Sequence, residues 1–182
     1  MTLRIICAAL TPCCAIELPR RAGAAALCLM AVFAGHVEVR AQSDQPTCQP
    51  GSQRTGDLGC WIIIDDAVGT LPQAPIFWYL DTHASRADAE AAKGPRGTVV
   101  ESLGKVWLFT IAEAGWRARS GARVAEIGPL PVRRDGQYSA MYMEAIFTPG
   151  MTSSIHTHSG LEAWYTASGE TCLETPKGTM VG

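Results

Sequence analysis

The stretch Gly150-Met-Thr-Ser-Ser-Ile-His156-Thr-His158-Ser-Gly-Leu-Glu162, closing at Gly169, constrains this chain more than any other. On a β-strand, side chains at i and i+2 leave the same face, so His156 and His158 point together. Ser159-Gly160 then turns the chain before Glu162. A carboxylate on the returning strand meets both imidazoles. Two imidazoles and one carboxylate on one face suit a divalent first-row metal.

The positions of Gly150, His156, His158, Glu162 and Gly169 fill a pattern that resembles the first signature of the cupin superfamily. The lead-in Phe147-Thr-Pro-Gly150 and the following Ala163-Trp164-Tyr165 are similar to it as well. The resemblance is specific over residues 146–178. It implies a mainly all-β fold, a cupin-like antiparallel β-barrel or jelly roll. It also implies a divalent metal ion (Fe, Mn, Zn, Ni or Cu) held by His156, His158 and Glu162. The family pattern includes a second motif with a further Gly, a Pro-x-Gly and a fourth metal-binding His. Pro176-Lys-Gly178 copies part of that pattern, but the His position falls on Val181 and the distance from Gly169 is too short. Pro176–Gly178 therefore reads as an ordinary turn, and the barrel is expected to be C-terminally incomplete. Two His, one Glu and solvent would form a facial triad with open positions. The missing strands would expose edges, which a homodimer could cover.

The chain has 182 residues, enough for one domain behind a leader. It is 47% hydrophobic and 18% charged, with 18 Gly and 11 Pro. That suits a β-rich domain with many turns and excludes a disordered chain. A net charge of −2 gives no general affinity for nucleic acid or for an anionic membrane.

Residues 1–41 read as a signal peptide. Arg20-Arg21 precede the uncharged run Ala22–Gly35, and Val39-Arg40-Ala41 places small residues before a cut at Gln42. The run is short for a transmembrane span. The segment ahead of it is oddly long, and Ile5–Leu18 is itself largely apolar. The expected location is periplasmic or secreted, with the membrane met only through the leader during export. Removing the leader discards Arg4, Arg20, Arg21, Arg40, Glu17 and Glu38, which takes the net charge from −2 to −4. It also leaves Cys48, Cys60 and Cys172. In an oxidising compartment Cys48 and Cys60 either close a short loop or stay as two free thiols. Cys172 reads as a small buried hydrophobe in a strand.

Residues 42–58 read as a flexible polar lead-in, and residues 59–182 as the cupin-like β domain with its first motif at 150–169. Strands are expected at 60–64, 75–80, 97–101, 105–111, 123–127, 138–147, 154–158, 162–166 and 171–174. Ser85–Lys93 is the one helix, a short surface helix capped by Ser85 and stopped at Gly94-Pro95. Most of the five tryptophans belong to core or rim packing. Trp164 shares the face of Glu162, and Glu144 is a second candidate polar group lining the barrel. His83 reads as a surface residue in a polar turn, and Arg123, Arg133 and Arg134 as solvated loop charges.

The resemblance implies an exported metal-binding protein, either a metal-dependent enzyme (dioxygenase, decarboxylase or isomerase) acting on a small molecule or a non-catalytic small-ligand-binding module. The missing second motif adds a third reading, a truncated remnant without function.

Overall fold

The computed structural model describes residues 3–12, 48–133 and 135–182. In chain order the elements are β1 (Leu3–Pro12), β2 (Gln49–Pro50), a 3-10 turn (Gly51–Gln53), β3 (Gly59–Thr70), β4 (Ile76–His83), α1 (Arg86–Ala92), β5 (Gly97–Ser102), β6 (Lys105–Glu113), β7 (Ala122–Ile127), β8 (Gln137–Phe147), β9 (Leu161–Ser168), β10 (Cys172–Thr175) and β11 (Gly178–Val181). The protein is mainly β, as expected. The apolar run of the leader and its cut after Ala41 lie outside the described residues. Among the described residues, no helix is long and apolar enough to cross a membrane.

Two sheets face each other across the main core. One has the order β2-β3-β8-β1-β9 and the other β5-β6-β4-β7; β10 and β11 form a separate hairpin. Apart from the short parallel pairing of β2 with β3, neighbouring strands are antiparallel. Among the described residues no sheet closes on itself. Alternation assigns the faces. Ile76, Trp78 and Leu80 of β4, Trp107, Phe109 and Ile111 of β6, and Tyr138, Ala140 and Tyr142 of β8 meet in the core, with Leu161, Ala163 and Tyr165 of β9 packed against it. Trp78 and Trp107 are completely buried. The opposite face of β8 presents Met143 and Ala145 to Cys48, Cys60 and Ile62.

Local chemistry explains several elements. Ser85 caps α1, its Oγ accepting a hydrogen bond from the Asp88 N–H at 3.1 Å. The helix buries Ala89 and Ala92 against Val99 and Leu108 on the outer side of the second sheet. Strands β5 and β6 are joined through Leu103 (φ 54°) and Gly104 (φ 72°). Two consecutive positive φ angles match the twist of a tight hairpin, and Gly adopts one without strain.

Other expectations need correction. Residues 154–158 form no strand: among the described residues the chain from Met151 to His158 has no ladder partner, and alternation alone cannot make a strand without one. The lead-in is tied from Cys48 onward. Cys48 and Cys60 form a disulfide with a Cα–Cα distance of 4.5 Å, and Gln49-Pro50 pair with Trp61-Ile62. Cys172 is exposed, because among the described residues β10 pairs only with β11 and neither strand packs on the core. Arg123 is no loop charge: its Nε donates to the buried Asp81 carboxylate at 2.8 Å, and its guanidinium lies 4.4 Å from the Tyr79 ring centre. His83 ends β4 with its Nε2 buried. Arg133 is an exposed charge paired with Asp135, and Arg134 lies outside the described residues.

Candidate metal site

Glu162 is the second residue of β9. Its neighbours Leu161 and Ala163 point into the core, so Glu162 and Trp164 leave the other face of the sheet. The trio is thus carried on the outer side of the five-stranded sheet, not between the two sheets. Trp164 shares that side, as expected, and is 37% exposed.

The segment before β9 brings the two histidines to Glu162. One ligand atom from each of His156, His158 and Glu162 lies within 4.8 Å of the others. The rings of His156 and His158 stand edge to face with centroids 4.6 Å apart. His156 Nδ1 is 2.7 Å from the carbonyl oxygen of Ser154. A carbonyl only accepts, so Nδ1 carries the hydrogen and donates it. The lone pair then sits on Nε2, with a backbone carbonyl orienting the ring in the way that metal-ligating histidines are held.

His158 Nε2 lies 2.7 Å from Glu162 Oε2. Burial pushes the Glu162 carboxyl up to about 7, against a smaller lowering by His156. Burial, and next the charge of His156, push His158 down from its ordinary value. Both shifts disfavour the charged forms, so near neutral pH this contact is a hydrogen bond sharing one proton, not a full ion pair. A divalent cation replaces such a proton: it takes an ionised carboxylate and neutral imidazoles. Metal–nitrogen bonds of about 2.0–2.1 Å need ligand atoms closer together than 4.8 Å. Among the described residues the histidine segment has no ladder partner, so no strand pairing opposes a shift of the histidines toward Glu162. The group could therefore hold a metal ion.

Glu144 lies elsewhere. It shares the parity of Ala140 and Tyr142 and so faces the interior, the opposite side of the sheet from Glu162. It is 3% exposed. It pairs with the Arg54 guanidinium, accepts from Ser102 Oγ, and accepts from the Leu103 N–H at 3.3 Å. These groups border an open cavity of about 770 Å³ whose lining includes Asp57, Glu101 and Lys105. Nothing in the sequence marked Arg54 as the partner of Glu144, because the pair is 90 residues apart.

Compared with known proteins, the chain matches no family model, no curated protein and no solved structure.

Proposed function

We propose that this chain is an exported, cupin-type metal-binding protein in which His156, His158 and Glu162 hold one divalent first-row ion. The observation that carries the proposal is convergence: three residues chosen by spacing alone meet within 4.8 Å. The facing antiparallel sheets are compatible with an open relative of the cupin jelly roll, and the leader carries the export reading. A bound ion would act as a Lewis acid or offer open positions to a small molecule. His156 and His158 would supply neutral imidazoles and Glu162 the anionic oxygen. On this reading the protein is a metal-dependent enzyme of the dioxygenase, decarboxylase or isomerase type.

A second reading, a non-catalytic module for a small ligand, is favoured by the cavity beside Glu144, which contains none of the trio. Chelation separates the two. Turnover or ligand binding that disappears with a chelator and returns with metal supports the metal-dependent reading. Ligand binding that is indifferent to chelator supports the module.

A further inference from the structure

Among the described residues strand β9 has one neighbour in its sheet, and that neighbour is β1. Every residue of Leu3–Pro12 has a register partner on β8, and Arg4–Leu10 also have partners on β9, with Ala9 opposite Glu162. A strand in this position satisfies two rows of backbone groups at once. Removing it would open the facing edges of β8 and β9 together. The sequence of the strand, Leu-Arg-Ile-Ile-Cys-Ala-Ala-Leu-Thr-Pro, carries a single charge, as suits a strand inside a sheet. Residues 13–47 connect it to Cys48, a length that spans about 120 Å when fully extended. The connection therefore does not force β1 into its place; the pairing does.

We infer that the gap between β8 and β9 is a strand-acceptor groove whose occupant is this chain's own Leu3–Pro12, held by backbone pairing without need of the covalent connection through residues 13–47. A cut made within that connection after folding then leaves the strand seated as a separate peptide, whereas export with loss of residues 1–41, as in the proposed function, takes the strand away and leaves the groove open. The groove is independent of the metal reading, since nothing in it depends on what His156, His158 and Glu162 bind.

The test uses the full chain with a protease recognition sequence replacing residues 28–34. The folded protein is cut and run on gel filtration in native buffer, with mass spectrometry of each peak. Hydrogen exchange of Leu3–Pro12 is measured on the uncut chain. The N-terminal fragment is expected to co-elute with the remainder, and the strand amides to exchange at least tenfold more slowly than those of residues 151–158. Ala8→Pro removes one N–H from a strand bonded on both sides, and is expected to release the fragment after cutting. Separation of the unmutated fragment from a still compact remainder overturns the inference. So does exchange of Leu3–Pro12 as fast as that of 151–158, or equal retention of the fragment with and without Ala8→Pro.

Discussion

Replacing Glu162 with Gln should remove one tenfold step from the pH dependence of metal binding and stabilise the metal-free protein above neutral pH. Burial raises the Glu162 carboxyl from 4.5 to about 7. A group whose folded value is raised contributes fully below its unfolded value and loses that contribution as pH rises through the folded one. The folded protein therefore resists an ionisation that the unfolded chain undergoes freely, and by pH 8 the difference is about 3 kcal/mol as an upper figure. Gln keeps the shape, never ionises, and escapes that loss. Metal binding has the opposite sign, because the ion needs the carboxylate deprotonated. One proton competing at a group titrating near 7 weakens apparent affinity about tenfold between pH 8 and pH 6. His158 is pushed down, so its imidazole is neutral over the upper part of this range. Calorimetric titration of Mn²⁺ or Zn²⁺ at pH 6, 7 and 8, with urea melts of the metal-free proteins, reads both arms. An identical pH slope in the two proteins, or a Gln variant no more stable than the parent at pH 8, refutes the reasoning.

Other parts of the structure carry separate expectations. Cys60→Ser opens a loop with a sequence separation of 12 and should cost about 3 kcal/mol in a urea melt, an effect that a reductant reproduces on the parent protein. Trp78→Ala empties the middle of the core, where the side chain is fully buried, and should cost about 3–5 kcal/mol. Arg54→Ala leaves the buried Glu144 without its cation and should cost about 3 kcal/mol, while Arg54→Met with Glu144→Leu should cost much less; equal losses would show that the pair is not coupled.

Local features of the sequence were the most legible. Ser85 before an alanine-rich segment located the helix because a cap is a contact between near neighbours. The strands at 97–101 and 105–111 were legible because they are close in sequence, and Gly104 at positive φ joins them. The trio was legible because His156, His158 and Glu162 lie within one short stretch. What could not be read depends on partners far along the chain. Residues 154–158 alternate like a strand, but a strand needs a ladder and none faces them among the described residues. Arg123 looks like a surface charge until Asp81 is placed beside it, and Glu144 gains its meaning only from Arg54. Leu3–Pro12 was read only as part of an apolar leader, and its place between β8 and β9 depends on strands more than 120 residues further along the chain. The side of the sheet occupied by Glu162 was likewise fixed by which neighbours, Leu161 and Ala163, found the core.

The central claim is that His156, His158 and Glu162 form one metal site. Its most direct test is elemental analysis of the purified, folded full chain beside the His156→Ala/His158→Ala double variant, each checked by gel filtration. Because both histidines lie on a segment with no ladder partner, their removal should leave the two sheets intact. The expected result is about one divalent first-row metal ion per chain in the parent and none in the double variant, with both proteins eluting alike. Unchanged stoichiometric metal in the double variant contradicts the assignment, as does a well-folded parent that takes up no metal.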